Sequence, residues 1–69
     1  MGHFINLGMD TSVAAEKVVL VCRANNLPKD ILEQATDVSK GKKRSAVFTS
    51  DGRVFLADVS YETLLKRIK

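Results

Sequence analysis

The sequence predicts an α+β domain, a small sheet of short strands covered by two amphipathic helices. Five apolar residues run without interruption from Val18 to Cys22, which is typical of a strand covered on both faces. Asp51-Gly52 separates two β-favouring segments, and this dipeptide is typical of a tight β-hairpin. Near the end of the chain, four apolar residues have the spacing i, i+3, i+4, i+7 of an amphipathic helix: Tyr61, Leu64, Leu65 and Ile68.

The first half of the chain is predicted to contain two strands and a helix. Phe4–Leu7 favours a strand that Gly8 ends, and Lys17–Arg23 forms the long apolar strand. In so small a protein a helix covers one face of that strand, so the other face needs a neighbouring subunit. Pro28 suits the first turn of a helix, which we expect over about residues 28–36.

Residues 37–44 have two alternative structures. In one, Gly41 caps a helix that reaches Lys40. In the other, residues 37–40 form a short strand, and Gly41–Lys43 is the tip of a hairpin. Val38 and Ser39 are poor helix formers, which favours the hairpin slightly.

The second half is predicted to contain a hairpin and a closing helix. Its strands are Ser45–Ser50 and Arg53–Ala57, and Ser60 caps the helix that follows. Three cations fall in the last turn of this helix, where they complement its dipole: Lys66, Arg67 and Lys69. The predicted order of elements is ββ-α-ββ(β)-α.

Length and composition limit the class of protein. The 69 residues make one domain over 1–69 with a thin core, and such small cores are often supplemented by self-association. Cys22 is the only cysteine, so no disulfide forms within the chain. No segment approaches the roughly 20 apolar residues of a membrane span. The start, Met1-Gly2-His3, does not resemble a signal peptide, and with the free cysteine this predicts a cytoplasmic protein.

Catalytic and metal-binding constellations are not predicted. His3 and Cys22 are single and share no ligand spacing. His3 near the terminus is poorly placed as a general base, and a thiol in an apolar strand behaves as a small hydrophobe. Gly41-Lys42-Lys43 lacks the upstream glycine of a phosphate-binding loop. We therefore expect no enzyme, no cofactor and no small-molecule substrate.

The five residues Lys40–Arg44 carry most of the charge imbalance. They hold four of the 11 basic residues, so the remaining seven face eight acidic ones. Such a local excess predicts a contact surface for a polyanion, although a basic pentad is more commonly a solvated loop. Lys17 and Arg23 lie at opposite ends of one strand, so at most one of them is near this segment. Phe48 and Phe55 alternate with polar residues like core residues. Aromatic residues for stacking on single-stranded nucleic acid are therefore scarce, which favours duplex DNA over RNA.

The chain resembles the RemA-like family, small bacterial regulators of extracellular-matrix (biofilm) genes. The resemblance covers about residues 4–68 and rests on the order and spacing of short motifs. These motifs are Phe4-Ile5-Asn6-Leu7-Gly8, the cation Lys17, Pro28 before an apolar helix, Gly41-Lys42-Lys43, Ala46-Val47, and Glu62-Thr63-Leu64 with Arg67.

The resemblance implies a cytoplasmic, non-enzymatic DNA-binding protein that assembles into rings. It places DNA contacts at Gly41, Lys42 and Lys43, matches Lys17 to a further basic residue, and favours the hairpin for residues 37–44. The chain departs from the family's Gly-Arg-Arg-x-Arg pattern, because Arg44 brings the third cation one residue early. In a strand that shift moves it to the other face, as in a second, less understood branch of the family. Lysines also replace arginines, which removes bidentate contacts to phosphate.

Two functions follow as hypotheses. The first is an oligomeric, ring-forming regulator of transcription that contacts duplex DNA mainly through phosphates, with Lys17 and Gly41–Arg44 as its site. The second is an oligomeric interaction module that uses the same basic segment to bind an acidic protein or a paralogue.

Overall fold

The structure, a computed structural model that describes residues 3–68, is an α+β fold with two sheets of short strands and two helices. This confirms the predicted fold class. The elements are β1 (Phe4–Gly8), β2 (Thr11–Ala14), β3 (Val18–Arg23), α1 (Lys29–Gln34), β4 (Thr36–Asp37), β5 (Ser45–Thr49), β6 (Val54–Ala57) and α2 (Tyr61–Ile68).

The smaller sheet is an antiparallel pair of β1 and β2. Strand β2 was not predicted, because Asp10, Thr11 and Ser12 together indicate a turn, whereas the last two of these residues lie within the strand. The turn instead uses Met9 and Asp10 with left-handed backbone, at φ 48° and 59°. Ile5 pairs with Val13 and both are buried, so β2 is stabilised by pairing and by burial of alternate side chains.

The larger sheet has the order β3-β5-β6-β4. Strands β5 and β6 form the predicted hairpin around Asp51-Gly52, in which Phe48 pairs with Val54. Strand β3 is an edge strand rather than a strand covered on both faces. Its residues Val19 and Leu20 are 64% and 54% exposed. A bulge between Val18 and Leu20 interrupts its pairing with β5.

Residues 37–44 adopt neither predicted alternative. Helix α1 ends at Gln34, and β4 pairs in parallel with β6 at the edge of the sheet opposite β3. Because β6 lies between β4 and β5, residues 38–44 cross over the end of β6 and are not a hairpin tip. Backbone hydrogen bonds to β6 favour a strand over a longer helix here. One of them runs from the amide of Val38 to the carbonyl oxygen of Leu56 at 3.0 Å.

The core lies between the two sheets and α2. Its largest fully buried apolar members include Leu7, Val47 and Leu64. Ser60 caps α2 as predicted, because its hydroxyl accepts a hydrogen bond from the amide of Thr63 at 3.3 Å. Neither helix of the described residues has the length and apolar character needed to cross a membrane.

Gly8 allows β1 to pass close to the segment that follows β4. Its φ is +129°, and a Cβ at this position would lie 2.3 Å from the carbonyl oxygen of Val38. Only glycine permits this contact without displacing the backbone. The end of β1 is thereby held against the start of the crossover that leads to the basic residues.

Candidate nucleic-acid interface

The basic loop, which we define as Lys40–Arg44, spans the end of β6 between the two strands that flank it. Both ends of the crossover are hydrogen-bonded to the β6 region. At one end the amide of Val38 donates to the carbonyl oxygen of Leu56. At the other end the amide of Arg44 donates to the carbonyl oxygen of Ala57 at 3.0 Å. The side chains of the loop are exposed. The loop is therefore fixed at its base while its cations face solvent.

The backbone of the basic loop is unusually restricted. Lys40, Gly41 and Lys43 have φ values of 57°, 87° and 45°. Glycine adopts this left-handed conformation without cost, but a side chain with a Cβ disfavours it. Surrounding contacts must hold two lysines in this conformation, and such restrained segments concentrate at functional sites.

Ser39 supplies those contacts. It is fully buried, and its amide and hydroxyl donate to Asp37 Oδ1 at 2.9 and 2.6 Å. Its hydroxyl oxygen in turn accepts a hydrogen bond from the amide of Lys43 at 2.9 Å. One side chain therefore connects the end of β4 to the middle of the basic loop.

Two hydrogen bonds from Ser39 lower the pKa of Asp37 below its ordinary value of 3.8. The hydroxyl has the larger effect and the amide the smaller. Both donors stabilise the charged carboxylate. Because the pKa is lower in the folded state, the stabilisation is fully present above the ordinary value. It is lost as the pH falls through the lowered pKa. The network is therefore intact at neutral pH.

Replacing Ser39 with alanine is expected to release the middle of the loop. The Lys43 amide loses its acceptor, a bond worth about 1 kcal/mol, so its hydrogen exchange should accelerate roughly fivefold. The Leu64 amide in α2 should be unaffected, which shows that the fold is kept. Exchange monitored by NMR checks this, with Ser50→Ala as the matched control. An unchanged rate at Lys43 would show that Ser39 does not hold the loop.

Asp58 lies within the cationic cluster. Its Oδ1 is 3.6 Å from Arg44 Nε and 4.0 Å from Lys42 Nζ. Arg44 and Lys42 therefore face the same carboxylate, and the prediction that Arg44 lies on the other face is wrong. Residues 42–44 precede β5, so the alternation of a strand does not apply to them. Among residues 3–68, Lys40 and Lys43 form no ion pair, which leaves a local excess of positive charge.

Arg23 lies beside the basic loop, although the sequence did not assign it to the site. It pairs with Ser45 across β3 and β5, and it lines one surface cleft with Lys43 and Arg44. Its guanidinium lies 4.6 Å from the centre of the Tyr61 ring and donates to Glu62 Oε2 at 2.5 Å. The Glu62 pKa is lowered by two hydrogen bonds to its carboxylate. The larger effect comes from its own backbone and the smaller from Arg23.

Lys17 lies apart from the basic loop. Its carbonyl oxygen accepts a hydrogen bond from the Ser50 amide at 2.8 Å, at the end of β5 that is remote from Ser45. The length of β3 separates this end from the loop by about 20 Å. Lys17 instead lines a cleft with Arg53 and Asp51. Of the sequence-predicted site residues, Gly41, Lys42, Lys43 and Arg44 are brought together, and Lys17 is not.

The family model that matches this chain is RemA-like, described as extracellular matrix regulatory protein A-like, and it covers residues 4–68. The chain belongs to the RemA-like family. The match includes every strand and both helices, and the resemblance drawn from the sequence is confirmed. A search of curated proteins finds no match to the chain.

The single cysteine of this RemA-like chain is part of the larger sheet. Cys22 lies on β3 opposite Ala46 and is half-buried. Burial raises the pKa of its thiol, which keeps the thiol protonated at neutral pH and weakens it as a nucleophile. Near the amino terminus, the His3 ring nitrogen Nε2 lies 2.6 Å from the carbonyl oxygen of Arg67, which ties the start of the chain to the end of α2.

Replacing Cys22 with alanine is expected to leave assembly and DNA binding within a factor of about two, because a partly buried thiol packs as a small hydrophobe. Light scattering and fluorescence anisotropy with labelled duplex DNA measure both properties. Cys22→Val tests the same position at larger volume. Loss of DNA binding by a variant that still assembles would assign this thiol a direct role.

Proposed function

We propose that this RemA-like protein is a non-enzymatic regulator of extracellular-matrix genes that binds duplex DNA. In this proposal it acts in the cytoplasm as a self-assembled ring and contacts DNA mainly through phosphates. The observation that carries the proposal is the basic loop, whose backbone is restrained by Ser39 and whose cations face solvent. The family description supports the regulatory role, and the free Cys22 suits a reducing compartment.

The chemistry of the loop favours contacts to phosphate. Lysine and arginine bind phosphate through charge attraction and charge-assisted hydrogen bonds, which need no base recognition. A restrained loop loses little conformational entropy when it binds. Tyr61, the aromatic residue of the neighbouring cleft, is covered by the Arg23 guanidinium, so it offers little surface for stacking an unpaired base. These features together favour the backbone of a duplex.

Self-assembly is proposed to use the outer edge of β3. This strand pairs with β5 on one side and exposes Val19 and Leu20. An open strand edge with exposed apolar residues is a template for pairing with another chain. A second copy of the protein is the occupant that we propose. Each added copy presents another basic loop, and several weak sites on one rigid frame bind more strongly than one.

The single test is a titration of labelled duplex DNA at two salt concentrations, combined with light scattering. For B-DNA, log affinity falls with log salt at about −0.9 per phosphate neutralised. If one subunit neutralises two or three phosphates, a ring should show a slope several times that of one subunit. An assembled protein that does not bind DNA at low salt would overturn the proposal and make an acidic protein or a paralogue the partner to test.

A further inference from the structure

We infer that Asp58 limits the affinity of the basic loop for anions, because its carboxylate competes with phosphate for Lys42 and Arg44. The inference rests on the proposed function, since it names the residue that sets how strongly the loop holds DNA. The starting observation is the pair of contacts from Asp58 Oδ1 to Arg44 Nε and Lys42 Nζ, at 3.6 and 4.0 Å.

The carboxylate is held in place more firmly than the cations that it contacts. The Asp58 amide donates to the carbonyl oxygen of Leu7 at 2.9 Å. The Asp58 Cβ would lie 3.4 Å from a Cβ built on Gly8, so its backbone is close to β1. The Asp58 side chain is 32% exposed, against 59% for Lys42 and 56% for Arg44. A partly buried negative charge therefore lies behind two exposed positive side chains.

Two effects of Asp58 on anion binding oppose each other. The carboxylate could order Lys42 and Arg44 for an incoming phosphate, which would strengthen binding. However, both contacts are long and solvent-exposed, and pairs of this kind hold their side chains only weakly. Ordering is therefore the smaller effect.

Repulsion is the larger effect. A phosphate on the outer side of Lys42 and Arg44 would lie about 7 Å from the carboxylate, where repulsion in water lowers affinity about threefold per subunit. Arg44 Nε lies 3.6 Å from the carboxylate, beyond hydrogen-bonding distance, so the effect of Asp58 is one of charge. The factor multiplies over the subunits that engage one DNA molecule, so a ring responds more strongly than a monomer. Salt screens the effect, so it is close to its full size at about 10 mM ionic strength, where the Debye length is about 30 Å.

The decisive variant is Asp58→Asn, which removes the charge and keeps the shape of the side chain. Its matched control is Glu33→Gln on the exposed side of α1, which changes the net charge by the same amount. Glu33 lies far from the basic loop. Its neighbour Gln34 lines a cleft with Gly52 and Arg53, at the end of the sheet remote from the loop. Circular dichroism and light scattering establish that each variant folds and assembles, and Asp58→Ser is a second neutral variant.

The experiment measures elution from heparin-agarose, a sulfated polyanion, and affinity for a labelled duplex at about 10 mM salt. We expect Asp58→Asn to elute at higher salt than wild type and to bind the duplex at least threefold more tightly, with Glu33→Gln close to wild type. In a Lys42→Ala/Arg44→Ala background the gain from Asp58→Asn should disappear.

Weaker binding by Asp58→Asn, a shift equal to that of Glu33→Gln, or a gain that persists without Lys42 and Arg44 would each overturn the inference. A gain on heparin without duplex binding by any variant has a different meaning. In that case the role of Asp58 stands and the proposed DNA-binding function fails.

Discussion

Replacing Lys42 and Lys43 together with alanine is expected to reduce DNA binding to near the background level while leaving assembly intact. In the proposed ring every subunit loses these contacts at once, so the loss multiplies over the subunits. Each phosphate no longer neutralised removes about 0.9 from the log–log salt slope per subunit. Both side chains are exposed, and the Ser39 contact to residue 43 uses its backbone amide. The loop should therefore keep its conformation.

The control for that variant removes the same charge elsewhere. Lys29→Ala/Lys66→Ala takes two exposed lysines from α1 and α2, outside the basic loop. Anisotropy titrations of both double variants at two salt concentrations separate a local contact from a change in net charge. If Lys42→Ala/Lys43→Ala bound DNA with the salt slope of wild type, the basic loop would be a solvated loop and DNA contacts would lie elsewhere.

Elements with strong local signals were predictable from the sequence. The β5–β6 hairpin is determined by Asp51-Gly52 between two apolar segments, and α2 by its apolar period and the Ser60 cap. Strand β4 could not be predicted from the sequence, because a strand of two residues carries almost no local signal. Its parallel pairing with β6 depends on residues about 20 positions later in the chain, and no local propensity encodes such a contact.

The site shows the same division between local and long-range information. The basic loop was visible as a run of charge, whereas its neighbours are brought to it by the fold. Arg23 reaches the loop through the register of β3 with β5, so a correct strand pairing would have found it. Asp58 reaches it because β6 ends beside the crossover. Ser39 was considered only for its poor helix propensity, although its buried hydroxyl determines the loop backbone.

Replacing Val19 and Leu20 together with aspartate is expected to convert the proposed oligomer to a monomer of 7.6 kDa. Both residues are exposed on β3, and charges on an open strand edge prevent edge-to-edge pairing. The variant should fold, because neither side chain belongs to the buried core. Light scattering measures the mass, and circular dichroism checks the secondary structure.

The control is Met9→Asp, which places one aspartate, against the two of the β3 variant, at an exposed apolar position outside β3. The left-handed backbone of residue 9 accepts aspartate. This variant should keep the mass of wild type. If the β3 variant also kept it, the edge of β3 would not be the contact between subunits, and assembly would have to use another exposed apolar residue such as Phe4 or Leu65.

DNA binding by the β3 variant tests whether assembly and recognition are coupled. Its basic loop is intact, so each monomer should still neutralise two or three phosphates, with a log–log salt slope of about −2 to −3. Its affinity should fall by two orders of magnitude or more, because linked weak sites gain about this much from effective concentration. A monomer that bound as tightly as wild type would show that one basic loop suffices and that DNA binding does not need the proposed ring.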